Sequence, residues 1–246
     1  MQGCVTEESL ETLAADAKNY WSQSGNRPWV ADMSHWRGRG RWADDQIWTN
    51  IGREHVQMFR QLCVLSERSS PIRTMLEWGP GGGANVVSFA PQVHRIYGVD
   101  ISEANLQECG RQLADARFRG FHPVEIDAAQ PEHVLAAVNE PIDFVLSTAV
   151  FQHFPGKEYG RRVLNIIRRL LAPDGVALIQ TRFDDGSETL ACKHSDYAKN
   201  VVTFTSYRVE EFWDDCGRAG FEPLSIVLKP EPCYAYYFLK KGTGRE

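Results

Sequence analysis

The chain has 246 residues, 27 basic against 32 acidic side chains, a formal net charge of −5, 43% apolar and 24% charged residues. That length suits one large α/β domain, or a domain with a small cap, and the composition excludes a disordered tail, a fibre and a coiled coil. Duplex nucleic acid is bound non-specifically by Lys and Arg neutralising phosphates, so the acidic balance argues against it as the main partner, though not against a locally bound RNA or nucleotide.

Before Pro71 the pattern is helical and rich in tryptophan, with Trp21, Trp29, Trp36, Trp42 and Trp48 in one short stretch. From Asp45 to Leu65 the residues Ile47, Ile51, Val56, Phe59, Leu62 and Val64 fall roughly on one helical face. Residues 1–70 are therefore expected to form an N-terminal helical cap on a core at 71–246. Past Pro71 strands and helices alternate. Strands are expected at Ile72–Glu77, Arg95–Val99, His122–Ile126, Phe144–Ser147 and Val176–Thr181, with a final pair at Leu224–Leu228 and Tyr234–Leu239. Helices are expected at Ala84–Phe89, Ala104–Arg117, Pro131–Val138, Tyr159–Leu171 and Arg208–Ala219. Such alternation implies a mostly parallel, doubly wound α/β sheet with helices on both faces. On the Tyr159–Leu171 helix, Arg161, Arg162, Arg168 and Arg169 read as a solvated face.

The cysteines Cys4, Cys63, Cys109, Cys192, Cys216 and Cys233 are scattered without a CxxC pair, as free thiols of a reducing compartment are. Met1 to Ala15 is acidic and lacks an apolar run, unlike a signal peptide. No segment nears the roughly 18 apolar residues that span a bilayer, and Met1-Gln2-Gly3 lacks the glycine at position two that myristoylation needs. The expectation is a cytoplasmic protein without a membrane partner.

The chemistry concentrates in Glu77-Trp78-Gly79-Pro80-Gly81-Gly82-Gly83-Ala84, which follows a strand and opens a helix. Glycines there let the backbone turn sharply and let a ligand lie against bare peptide. Gly79-x-Gly81-x-x-Ala84 with Asp100 also satisfies the dinucleotide fingerprint, so an NAD-dependent oxidoreductase competes. Three features favour another reading. Glu77, two positions before the first glycine, can bind an amino group and would gain nothing from a pyrophosphate. Asp127 ends the third strand, where it can accept a hydrogen bond from an adenine amino group. The chain closes with a strand, a short link and a strand, which suits a terminal antiparallel hairpin.

With these residues the sequence resembles the class I S-adenosylmethionine-dependent methyltransferases over about residues 71–241. The family's glycine motif matches Glu77 to Gly83 and its acidic ribose position matches Asp100 in Tyr97-Gly98-Val99-Asp100-Ile101-Ser102. Its adenine-side position matches Asp127 in Glu125-Ile126-Asp127-Ala128. Its fourth strand matches Ile142 to Ser147, followed by Val150-Phe151-Gln152-His153-Phe154, and its turn before the next strand matches Leu171-Ala172-Pro173-Asp174-Gly175. Asp174 stands where many relatives have glycine, and either suits a turn. The resemblance implies a seven-stranded sheet with an antiparallel last strand and methyl transfer from a sulfonium cofactor. Glu77, Gly79, Gly81, Asp100, Ile101, Asp127, Ala128 and Thr148 would hold that cofactor.

In-line methyl transfer needs an acceptor held close and aligned, and an alcohol acceptor must also lose a proton. His153 lies just past the fourth strand, at the carboxyl edge where open α/β sheets place ligands. It is either the base or a structural residue under the cofactor. The long connection Arg182–Thr205 could wall an acceptor pocket with Arg182, His194 and Tyr197. Asp184 and Asp185 could join His153 around Mg²⁺, or simply form a turn. Trp36, Arg37 and Trp42 offer stacking faces and a cation for a polar acceptor, or a contact within the protein or in a homodimer formed through the cap. The expected acceptor is a small-molecule hydroxyl, on a sugar or a specialised metabolite. Transfer to nitrogen, carbon or RNA, and a non-catalytic cofactor-binding protein, stay open.

Overall fold

The computed structural model describes residues 8–243. Its seven strands are β1 (Thr74–Trp78), β2 (Arg95–Asp100), β3 (Phe121–Glu125), β4 (Ile142–Ser147), β5 (Leu171–Arg182), β6 (Phe221–Lys229) and β7 (Tyr234–Lys241). They form one sheet in the order β3-β2-β1-β4-β5-β7-β6. Strands β1 to β5 pair in parallel, and β7 runs antiparallel to both β5 and β6. The wholly parallel dinucleotide-binding sheet has no such inserted strand. Pro123 removes a ladder donor, and it sits on β3, which pairs only with β2, as an edge position permits.

Successive strand residues point to opposite faces, and two cores result. Leu76, Val99, Val145 and Ile179 pack with α6 (Val134–Ala137), α7 (Lys157–Leu170) and α9 (Val209–Arg218). Met75, Ile96, Phe144 and Leu178 face α3 (Asp45–Leu65), α4 (Ala84–Phe89) and α5 (Glu103–Asp115). Helix α3 starts where Asp44 accepts from the N–H groups of Gln46 and Ile47, a side-chain cap on otherwise unpaired donors. Its Val56, Met58, Phe59 and Leu62 are buried in the second core, so α3 is part of the sheet's own helical layer.

The other N-terminal helices, α1 (Leu10–Trp21) and α2 (Pro28–Met33), lie over the carboxyl edge. There Leu13, Ala17, Tyr20, Trp21 and Val30 cluster with Tyr197 of α8 (Tyr197–Asn200), Val201 and Phe204. The arginines of α7 are not a merely solvated face. Arg161 bonds Asp215 of α9 at 3.0 Å, Arg162 bonds Glu132 at 2.7 Å, and Arg168 bonds the Gly220 carbonyl at 2.8 Å. Guanidinium forks suit such ties to carboxylates and carbonyls, so α7 is anchored to α9 and to the turn before β6.

Candidate functional site

The order of the sheet reverses between β1 and β4, and the crevice at such a switch point is where open α/β sheets bind ligands. A pocket lies there, walled by the ends of β1 and β2, by α1 and α2, by residues 148–155 and by α8.

The glycine turn forms its floor. Gly79 and Gly81 have φ of 76° and 50°, a region that favours glycine. A Cβ on Gly81 would stand 2.4 Å from the Ser34 carbonyl oxygen, so this glycine lets the turn meet the end of α2. Asp100, 8% exposed, ends β2 and lines the pocket with Ile101. Its carboxylate is oriented by the N–H groups of Ser102 at 2.8 Å, of Gly81 and of Ile101, and by the Asn105 side chain at 3.4 Å. Burial raises its pKa to about 6 against those bonds. Ser102 caps α5, its hydroxyl accepting from the N–H of Asn105.

Glu77, 1% exposed, lies behind the lining. Asn85 donates to its Oε1 at 2.6 Å and to the Thr148 hydroxyl at 3.0 Å, and the Asn85 carbonyl faces His55 Nδ1 at 2.7 Å. Burial pushes the Glu77 carboxyl up to about 8, and its Oε2 has no partner. Thr148 and Ala128 line the pocket. Asp127 is exposed and takes the Ala129 N–H at 2.9 Å in a turn, so the wall on that side is Ala128.

The opposite wall is aromatic, with Trp21, Phe154, Tyr159 and Tyr197. His153 ends a short 3₁₀ turn, Phe151–His153. Its Nδ1 is 2.6 Å from the Val201 carbonyl, and a carbonyl only accepts, so Nδ1 carries the proton and Nε2 keeps its lone pair. Trp21 packs on the ring at 4.8 Å, the Gln152 amide lies 3.4 Å from Nε2, and the Ala149 backbone also bonds the ring. Burial lowers its pKa to about 4, so the imidazole is neutral at pH 7. Tyr197 donates to the His153 carbonyl at 2.6 Å and accepts from Trp21 Nε1 at 3.1 Å. It is a wall residue whose hydroxyl is already engaged.

Other residues singled out in the sequence lie outside the lining. Trp36 donates to Asn105 at 3.0 Å and so supports the group that holds Asp100. Arg37 pairs with Asp45 through two bonds of 2.7 Å and lies over Trp48. Trp42 donates to the Asp32 carbonyl and packs on His35 at 4.6 Å. Arg182 bonds the Pro232 carbonyl at 2.7 Å, and His194 is on the surface with its carbonyl taking the Glu8 N–H. Asp184 and Asp185 accept the N–H groups of Gly186 and Ser187, the turn geometry. Among the described residues no three His, Cys, Asp or Glu side chains gather as a metal site, so His153, Asp184 and Asp185 do not form the expected Mg²⁺ set. Cys4 lies outside the described residues, and the five described cysteines are free.

Sequence reasoning missed Ser34, His35 and Asn105, all in the lining. A single signal was available for His35: a histidine between tryptophans, with no helical or strand period of its own.

The fold, the switch-point pocket and the oriented Asp100 make an arrangement chemically able to hold a nucleoside-bearing ligand. Residues 76–179 match the methyltransferase domain family. Of solved structures, the fold is similar to an S-adenosylmethionine-dependent methyltransferase from Clostridium acetobutylicum ATCC 824, with TM-score 0.60 and 12% identity over 81% of this chain and 92% of that one. It is also similar to the N-methyltransferase NodS from Bradyrhizobium japonicum WM9 bound to S-adenosyl-l-homocysteine, with TM-score 0.56 and 15% identity over 75% of this chain and 86% of that one. A stretch of 127 residues, 51% of this chain, is 32% identical to part of the probable non-canonical nonribosomal peptide synthetase CymA from Salinispora arenicola (strain CNS-205). The match spans only 2% of that protein. Residues 76–179 thus match a methyltransferase domain, and the chain shares its fold with solved S-adenosylmethionine-dependent methyltransferases. No helix among the described residues is long and apolar enough to cross a membrane.

Proposed function

We propose that this methyltransferase acts on a hydroxyl of a small, flat, largely apolar acceptor, and that His153 holds the acceptor oxygen and receives its proton. The observation that carries this reading is the fixed tautomer of His153. Its Nδ1 proton is committed to the Val201 carbonyl at 2.6 Å, which leaves the Nε2 lone pair for an O–H donor.

The residues present fit the cofactor. Asp100 offers a preoriented carboxylate for a ribose diol, Ala128 and Ile101 give apolar walls for an adenine, and the orphan Oε2 of Glu77 has room in its bonding for an amino group. When bound, S-adenosylmethionine supplies an electrophilic methyl group on a cationic sulfur. The protein's share is alignment and proton handling. Trp21, Phe154 and Tyr159 present faces against which a flat ring packs. As the new C–O bond forms, the acceptor oxygen becomes positive and its proton acidic, so even a weakly basic Nε2 can take it. Excluding water around the pair keeps the geometry productive. A sugar presenting its apolar face would fit the same wall.

The low basicity of His153 favours a second reading, transfer to a neutral amine, which needs no proton removed before attack. The two separate in one experiment. With phenolic acceptors and a hydroxyl mechanism, His153→Ala lowers kcat by about 100-fold, and kcat of the wild type stays level between pH 6 and 9. With amine acceptors His153→Ala costs less than about tenfold, and the rate climbs with pH until the free amine predominates.

A further inference from the structure

The cofactor has a methionyl carboxylate, and the usual seat for such an anion, the free N–H groups of a glycine turn, is not available in this protein. Gly79 donates to the Val99 carbonyl at 2.7 Å, Gly82 to the Ser34 carbonyl at 2.7 Å and Gly83 to the Pro80 carbonyl at 2.9 Å. Gly81 donates to Asp100, and Pro80 has no N–H. The turn has spent its donors inside the protein. No Lys or Arg lines the pocket. Arg37 and Arg41 are turned to Asp45 and Asp32, and Lys18 to Glu125 and the Ile101 carbonyl. The nitrogens in the lining able to carry positive charge are those of His35 and His153, and His153 has given its N–H to Val201.

His35 is held where the turn needs a donor. Its backbone takes the left-handed conformation, φ 58°, rare for a residue other than glycine and a mark of a constrained site. The Trp48 indole donates to its carbonyl at 2.7 Å, Trp42 packs on its ring, and a Cβ on Gly82 would stand 2.6 Å from its carbonyl oxygen. Its imidazole makes no hydrogen bond among the described residues. The preceding residue, Ser34, is 4% exposed, lines the pocket, and has a hydroxyl without a partner. A buried donor left unsatisfied is costly, and the Ser34 hydroxyl, with the half-buried and unbonded His35 imidazole next to it beside the glycine turn, indicates a missing acceptor. Desolvation, with Arg41 close by, holds His35 neutral, down to about 4, so the site carries no fixed charge until an anion enters.

We propose that the Ser34 hydroxyl and the His35 imidazole together form the seat for the cofactor's methionyl carboxylate. The tryptophan-rich stretch then has a cofactor role. Trp42 and Trp48 fix His35, and Trp36 fixes Asn105 beneath Asp100, so the N-terminal segment completes the cofactor site. The inference concerns the cofactor alone and stands whichever acceptor atom is methylated.

The test is calorimetric titration with S-adenosylhomocysteine and with S-adenosyl-3-thiopropylamine, which keeps the amine and lacks only the carboxylate. Wild-type protein should bind the first at least about tenfold more tightly, the scale of a hydrogen bond to a charged group. His35→Gly, which accepts the left-handed backbone without strain, should weaken S-adenosylhomocysteine by about tenfold and leave the thiopropylamine within about twofold. Ser34→Ala should give the same pattern at about threefold. A wild-type preference below about threefold overturns the proposal. So does a His35→Gly protein that loses both ligands equally or neither, provided Ser34→Ala, which disturbs no backbone, also fails to discriminate between them.

Discussion

The two walls of the pocket are built differently. The cofactor wall is backbone and short polar side chains at the ends of β1 and β2, most of them held by bonds to their neighbours, as when four N–H groups orient the Asp100 carboxylate. The acceptor wall is assembled from α1, residues 148–155 and α8, and is held by aromatic packing and two hydrogen bonds that converge on Tyr197. A ligand that never varies can be met by rigid strand ends. An acceptor, which differs from one enzyme to another on the same fold, is met by pieces outside the sheet. The N-terminal segment belongs to both walls, since α1 carries Trp21 while Ser34 and His35 press on the glycine turn.

If the walls are separate, damage to one should leave the other's ligand alone. The largest effect is expected from Asp100→Asn, which removes the charged acceptor for a ribose diol. S-adenosylhomocysteine affinity should fall by about 30-fold, measured by calorimetry, with a melting temperature near that of the wild type.

A smaller effect concerns the carboxyl behind the cofactor wall. Burial raises Glu77 from its ordinary 4.5 to about 8. A group whose pKa is raised on folding contributes stability that is fully present below the unfolded value and lost as pH rises through the folded one. The free protein should therefore lose stability between pH 4.5 and 8 on this account. Glu77→Gln should remove that loss and raise the melting temperature at pH 8.5 by roughly 3 °C or more, with little change at pH 5. An equal shift at both pH values would show that Glu77 is not the titrating group.

The smallest effect is an expected absence of change. Asp184 and Asp185 spend their carboxylates on the Gly186 and Ser187 N–H groups. Asp184→Asn, Asp185→Asn and treatment with EDTA should each leave turnover within about twofold. A larger loss restored by Mg²⁺ would place a metal in the acceptor wall.

The same division explains what the sequence disclosed. The strands carry continuous apolar runs because both faces of the sheet are covered. Glycine and aspartate end them at positions fixed by the turn chemistry, so Glu77 to Gly83 and Asp100 could be read locally. The hydrogen-bonded pair of β6 and β7 was legible from two short apolar runs around a proline-rich link. Ser34, His35 and Asn105 were not, because each acts through contacts with remote segments: Ser34 with Gly82, His35 with Trp48, Asn105 with Trp36. Trp36, Arg37 and Trp42 read in the sequence either as acceptor contacts or as contacts within the protein or between subunits. Nothing in their spacing reveals that Asn105, Asp45 and the Asp32 carbonyl take up their donors. The apolar face of α3 was clear, yet periodicity alone could not show that it packs on Phe89 of α4 and Phe144 of β4.

The most direct test of the two-wall account is one calorimetric series, S-adenosylhomocysteine titrated into wild-type, Asp100→Asn and His153→Ala protein. The account predicts a dissociation constant for His153→Ala within about twofold of the wild type, against the loss of about 30-fold for Asp100→Asn. Equal losses in the two variants would put His153 on the cofactor, and the separation of the walls would be wrong.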